Sequence, residues 1–233
     1  MGASTMITSL DFLYDRAKMI DVPKVVFEAF QQELGNVEQW RERWLTSFHE
    51  VHLALPVGRK LLNGGAEYVV LEATPDEYGE HDRCDLFARI GKEKWYVEVK
   101  KGWHGSGVGW NTKPKEQLQN CLHDLWKLSQ LRGAANRRIF ALLHFRQHDL
   151  SARAKTFDPN EVDAAADVIV RALKRKHEPP LPKRTFHSWI VMAIIESTLR
   201  KLGSVQTLKE PRMGKDFERE GKIMEHRVLV GCF

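Results

Sequence analysis

Asp85, Glu98 and Lys100 are the residues whose types and spacing most clearly point to chemistry. They lie in Asp85-Leu-Phe-Ala-Arg-Ile90, a tight polar stretch Gly91-Lys92-Glu93, and Trp95-Tyr-Val-Glu98-Val-Lys100-Lys101. Both flanking stretches are short, rich in β-formers and joined by turn residues, which predicts a hairpin. Residues two apart on a strand share a face, so Glu98 and Lys100 point the same way. Hairpin parity brings in Asp85. A turn at Lys92-Glu93 sets Asp85 opposite Lys100, and a turn at Gly91-Lys92 sets it opposite Glu98. Either register puts two carboxylates and an ammonium on one face within about 5 to 8 Å. The expected site is a concave sheet edge open to solvent. Leu86, Ala88, Trp95, Val97 and Val99 make the other face apolar enough to pack on a helix.

Two carboxylates and an amine at a strand end suit phosphodiester hydrolysis. Mg²⁺ takes oxygen ligands, typically one or two carboxylates plus water and substrate phosphate. Such an ion neutralises the phosphate, stabilises the leaving oxygen and acidifies a water. A neighbouring lysine can position or deprotonate that water. Glu-x-Lys alone carries no such meaning, because it is commonly an exposed ion pair. A second copy, Glu220-Gly-Lys222, lies in a polar stretch that reads as solvated surface. Context separates the two: Glu98 and Lys100 sit on an apolar strand, beside a partner beginning with Asp, just before a glycine-rich loop.

Asp85, twelve residues, then Glu98-Val99-Lys100 resembles the PD-(D/E)xK nuclease superfamily, which includes the restriction-endonuclease-like and RecB-like branches. Arg83-Cys-Asp85-Leu-Phe resembles its second motif, with Cys84 where proline is common. Gln117 in Lys113-Pro-Lys115-Glu-Gln117-Leu resembles the glutamine that follows the motif. The resemblance covers roughly residues 38–145. It implies a mixed sheet flanked by helices and a Mg²⁺ site (Mn²⁺ substituting) at Asp85 and Glu98 with the Val99 carbonyl. It also implies a catalytic set of Asp85, Glu98, Lys100, Gln117 and a helix carboxylate. Glu50 is the choice for that carboxylate, with Glu42 and Glu67 as rivals; Asp82 is the rival to Asp85. The expected substrate is DNA and the expected activity an endonuclease, in a setting such as restriction, phage defence or mobile-element processing. The alternatives are a catalytically silent nuclease-fold module that binds DNA or a partner protein, or an RNase. Cleavage of both strands favours a homodimer, because one site handles one strand at a time; association with a larger defence or processing complex is the other partner expectation.

The elements around these residues follow from periodicity. Residues 23–34 have helical apolar spacing. Asn36 can cap a second helix ending near Leu55, with Trp40, Trp44, Phe48 and Val51 on one stripe and Pro56 closing it. Asn63-Gly-Gly65 reads as a turn and Glu67–Ala73 as a strand. After the hairpin, a glycine-rich loop is expected to hold Trp103, His104 and Trp110. A helix over 115–131, a strand over 138–145 and a helix over 159–176 complete the order. A stiff Glu178–Arg184 linker leads to a tail with a buried run at 189–199 and a late strand at 227–233. The fold class is α/β, a mixed sheet covered by helices. Residues 1–150 form the expected nuclease core with N-terminal helices, and 151–233 a C-terminal elaboration packed on it. Lys101, Trp103, His104, Lys113, Lys115, Lys174, Arg175, Lys183 and Arg184 are the candidate nucleic-acid contacts, through stacking and phosphate pairing. The His49/His52 and His144/His148 pairs lack the Glu of HExxH and read as surface and strand end.

Composition sets the outer bounds. Of 233 residues, 42% are hydrophobic and 29% charged, which excludes a disordered or collagen-like chain. The longest apolar run, Trp189–Ile195, has seven residues, where a membrane span needs about 20. Three scattered cysteines without a CxxC give neither a disulfide framework nor a Cys-based zinc site. No leader is visible, and a reducing cytoplasm is the expected compartment. The net charge of +5 permits a polyanionic partner without requiring one.

Overall fold

Alternation in the strands and 3.6-residue stripes in the helices assemble three layers in the structure, a computed structural model. It describes residues 20–37, 49–75, 78, 82–104, 114–149, 158–181, 188–210 and 222–233. Among them, the order is α1 (Val22–Val37), α2 (Val51–Gly64), β1 (Tyr68–Ala73), β2 (Cys84–Ile90), β3 (Glu93–His104), α3 (Pro114–Gln130), β4 (Asn136–Asp149), α4 (Pro159–Lys174), α5 (Ser188–Leu202), β5 (Ser204–Glu210) and β6 (Lys222–Cys232). The six strands form one mixed sheet, ordered β1-β2-β3-β4-β6-β5. All neighbours are antiparallel except β3 and β4, which run parallel. A parallel pair needs a long crossover, and α3 supplies it.

Each sheet face carries its own core. On one, Leu86, Ala88, Val97, Val99, Ile139 and Ala141 meet Val26 and Phe30 of α1 and Leu53, Val57 and Leu61 of α2. This is the helix packing expected for the apolar side of the hairpin. On the other, Tyr96, Phe140, Leu142 and Leu229 meet Leu118, Leu122 and Leu125 of α3, Ile169 of α4, and Ile195 and Leu199 of α5. Residues after 151 thus add two helices and two strands to the same sheet. No helix among the described residues is long and apolar enough to cross a membrane.

Several boundaries differ from the sequence expectation. Pro56 does not close the second helix; it lies inside α2. An interior proline removes one backbone bond and costs about 3 kcal/mol. Burial of Leu53, Ala54, Val57, Gly58 and Leu61 carries the helix past it. The true stop is Gly65, at φ 105° in the left-handed region, whose N–H caps the end. Glu50 is the N-cap of this helix. Residues Trp40, Glu42, Trp44 and Phe48 lie outside the described residues. Strand β3 also runs further than expected, so Trp103 and His104 are paired with Phe145 and Arg146 of β4 and are not loop residues. Strand β5 was not expected at all.

Candidate functional site

The site begins where β2 separates from its neighbours. The β1–β2 pairing steps from Leu71↔Leu86 to Ala73↔Cys84 with no pair at Glu72, which sits at φ 54°. A non-glycine residue there costs about 1–3 kcal/mol, and such strain concentrates at functional positions. On the other side, the β2–β3 ladder closes on Gly91-Lys92 and ends at Leu86↔Val97, one step short of Asp85. Beyond that step the backbone groups on the β2 side of β3 have no ladder partner in β2. Carboxylates take them. Asp85 Oδ2 accepts from the Val99 N–H at 2.6 Å, and Glu50 Oε1 accepts from the Lys101 N–H at 3.0 Å. A strand residue's N–H and C=O point to the same side, so the Val99 carbonyl faces the side that Asp85 occupies.

Glu98 and Lys100 share the α3 face of β3, as their spacing requires. There they enter a chain of alternating charges. Lys100 Nζ lies 3.2 Å from Glu50 Oε2 and 2.9 Å from Asp124 Oδ2. Asp124 Oδ1 lies 3.2 Å from Lys127 Nζ, which reaches Glu98 Oε1 at 3.0 Å. The Tyr78 hydroxyl donates to the same Glu98 oxygen at 3.4 Å. Glu98 is only 1% exposed, so the expected solvent-open edge does not hold for it. The reason is α3, whose Asp124 and Lys127 lie over that part of the strand.

Burial dominates the acid–base properties here. Desolvation pushes the Glu98 carboxyl well above its usual range, with the nearby Asp124 adding and the Lys127 ammonium opposing. Desolvation also raises Asp85, against its bond from the Val99 N–H and the pull of Lys100. For Lys100, burial favours the neutral amine, but Asp124 and Glu50 together outweigh it and hold the ammonium charged. Lys127 is likewise held charged by Asp124 and Glu98 against its own desolvation.

Further along the same face, Gln117 is buried and neither end of its amide has a hydrogen-bond partner among the described residues. It lies over Gly102, beside His144. A side chain at 102 would overlap the amide and crowd His144, so one of them would have to shift. Gln117, Cys121, Asp124 and Leu128 follow helical spacing, so one stripe of α3 mixes apolar core with the polar residues of the site.

The other candidates are placed as follows. Val99 lies between Glu98 and Lys100 as expected. Lys101 is half-buried, and burial lowers its ammonium against the pull of Glu50. Lys115 is exposed at the start of α3, and Lys174 and Arg175 are exposed at the end of α4. That corner is tied to the far end of α3, where the Lys176 carbonyl accepts from Trp126 Nε1 at 3.1 Å. It makes no contact with the carboxylates among the described residues. Trp103 and His104 have described backbone only. Lys113, Trp110, Lys183 and Arg184 lie outside the described residues, as does Glu220, while Lys222 opens β6. Glu67 pairs with Arg89 at 3.3 Å on the surface, away from the site. Asp82 faces His123 at 3.8 Å, so Asp85 is the carboxylate that reaches β3. Sequence reasoning missed Tyr78, Asp124 and Lys127. For the last two there was a signal, polar residues interrupting an apolar helical stripe; for Tyr78 there was none.

Donor type and charge decide whether a divalent ion suits this set. Among the described residues, Glu50, Asp85, Glu98 and Asp124 have the ammoniums of Lys100 and Lys127 in contact and that of Lys101 acting on Glu50, so carboxylates outnumber ammoniums when all are ionised. The donors are hard oxygens, which suit Mg²⁺. Among the described residues no three His, Cys, Asp or Glu side chains already converge as a metal cage, because the carboxylates are drawn onto the lysines. Mg²⁺ is usually held by one or two carboxylates with water and not by an all-protein cage, and the Asp85 and Glu98 carboxylates and the Val99 carbonyl are hard oxygen donors of the kind it takes. No family model matches the chain, and neither a curated protein nor a solved structure shows significant similarity to it.

Proposed function

We propose that this protein is a divalent-cation-dependent nuclease that hydrolyses phosphodiester bonds in DNA, related to the PD-(D/E)xK superfamily. The observation that supports this most is the bond from the Val99 N–H to Asp85. It holds the Asp85 carboxylate against the strand that carries Glu98 and Lys100, at a step where the sheet ladder has stopped. Asp85, Glu98 and the Val99 carbonyl are the residues that would hold the ion. When bound, the ion supplies phosphate neutralisation and an acidified water. The rest falls to the chain. Glu50 and Asp124 hold the Lys100 ammonium in one place, from which its N–H groups orient the attacking water and offset charge on the phosphorane-like transition state. The Gln117 amide, with both ends unspent, supplies a neutral donor and acceptor on the same face. Exposed lysines and arginines such as Lys115, Lys174 and Arg175 bind the backbone of the nucleic acid.

A second reading also has an observation behind it. Glu98 is buried and already paired with Lys127, the state expected of a nuclease-fold module that binds without cutting. One experiment separates the two, and separates DNA from RNA as substrate. Purified protein is incubated with plasmid, linear and single-stranded DNA and with RNA, in Mg²⁺, Mn²⁺ or EDTA. The nuclease reading requires DNA cleavage that EDTA abolishes and Glu98→Gln removes. DNA binding without cleavage under every condition would establish the silent module instead.

A further inference from the structure

We infer that Lys127 is a tethered cation that occupies the Glu98 end of the site and sets the threshold at which a divalent ion can load there. The inference rests on the nuclease reading above. Its evidence is the surroundings of the Lys127 ammonium. Nζ lies 3.0 Å from Glu98 Oε1, 3.2 Å from Asp124 Oδ1 and 2.9 Å from the Arg83 carbonyl oxygen. The face of the Tyr78 ring stands 5.6 Å away. Two carboxylates and a carbonyl around one positive centre are the donors a hard divalent cation takes. The side chain is 10% exposed, so the ammonium is an internal charge and not a surface ion pair.

The ties are unequal in a way that permits exchange. Asp124 is one helical step from Lys127, and the Arg83 carbonyl is fixed by the backbone before β2. Both can keep the ammonium when Glu98 is withdrawn. Glu98, in contrast, is shared between Lys127 and the position of the ion. A divalent cation at Glu98 therefore competes with a unit charge already in contact with the same oxygen. Loading is disfavoured until the free cation is abundant, and the metal-free protein keeps its buried carboxylate compensated meanwhile. An ordinary buried ion pair would behave differently: its removal would loosen the fold and leave cation affinity unchanged or weaker.

The test uses Mn²⁺ as the probe, with free Mn²⁺ measured by electron paramagnetic resonance on the full chain. Wild type, Lys127→Met, Lys127→Gln and Glu98→Gln are compared, with thermal unfolding alongside. Removing the ammonium should tighten Mn²⁺ binding at least ~10-fold, since a unit charge a few ångströms from the ion is worth that much even at high effective dielectric. Both lysine variants should be less stable than wild type without metal and should gain more from Mn²⁺ than wild type does. Lys127→Gln keeps hydrogen-bonding capacity and gives the measurement if Lys127→Met does not fold. Glu98→Gln should lose Mn²⁺ affinity. If Glu98→Gln loses it while both lysine variants bind no tighter than wild type, the tethered-cation inference is overturned and the nuclease reading stands. If wild type and Glu98→Gln bind Mn²⁺ with equal, measurable affinity, or none of the four proteins binds it, the nuclease reading fails and the inference with it.

Discussion

Replacing Gly102 by alanine should dislodge Gln117 without altering a single charge in the site. The added Cβ would overlap the Gln117 amide and stand 2.7 Å from His144 Cδ2, where carbon atoms normally keep about 3.5 Å or more. Overpacking of this kind costs about 1–3 kcal/mol. For a chain of this size each kcal/mol lowers Tm by about 2–4 °C, so the expected drop is about 2–12 °C. Gln117→Ala behaves in the opposite sense. It removes a buried amide whose two ends have no partner among the described residues, a group that costs about 1–3 kcal/mol to bury. That saving offsets the packing lost, so the single variant should be close to neutral. Combining the two removes the overlap with Gln117, and the double variant should recover at least ~1 kcal/mol relative to additivity. Urea and thermal unfolding of the four proteins give the cycle. Cleavage read beside it tests function: Gly102→Ala should lose activity while its far-ultraviolet circular dichroism is kept. Additivity within about 0.5 kcal/mol, or a Gly102→Ala variant as stable as wild type, would refute the placement of Gln117 over β3.

Four further outcomes are expected. Asp85→Ala should abolish cation-dependent cleavage; Lys100→Ala should retain Mn²⁺ binding but slow single-turnover cleavage at least ~10², and Lys100→Arg should not restore it. Because Lys100 leaves two partly buried carboxylates behind, its alanine variant should also lose about 3–5 kcal/mol, well above the ~1 kcal/mol of an exposed pair, which urea unfolding measures. The metal-free protein should lose stability as pH rises from the carboxylate range toward neutrality. Burial raises the folded-state pKa of Glu98 and Asp85, so their contribution is full below the unfolded value and is lost as pH passes the folded one. Glu98→Gln should flatten that slope, and parallel profiles would contradict the assignment. DNA affinity should fall with salt at a log–log slope of about −0.9 per phosphate contact. Joint neutralisation of Lys113, Lys115, Lys174, Arg175, Lys183 and Arg184 should lower both affinity and slope in a filter-binding titration; an unchanged slope would remove these residues from the interface.

Local periodicity was enough for the α/β class and for bringing Asp85, Glu98 and Lys100 to one end of the hairpin. Alternation decides which side of β3 carries Glu98 and Lys100, and a two-residue turn brings Asp85 alongside that part of β3, where it accepts from the Val99 N–H. The stripes of α1, α3 and α4 are equally local, and their boundaries agree with the sequence to within a few residues. What the sequence left open depends on contacts between distant segments. Pro56 reads as a helix end until the burial of Leu53, Val57 and Leu61 against the sheet outweighs its missing bond and carries the helix to Gly64. Strand β3 reads as ending near Lys101 until β4 pairs with it through His104. Strand β5 exists because β6 offers it an edge. Asp124 and Lys127 look like ordinary helix polar residues; only the crossover that lays α3 on β3 turns them into the partners of Lys100 and Glu98. The polar break in the α3 stripe marks Asp124 and Lys127 within one segment, but their partners Lys100 and Glu98 lie 24 or more residues away in the chain, and only the tertiary fold supplies them.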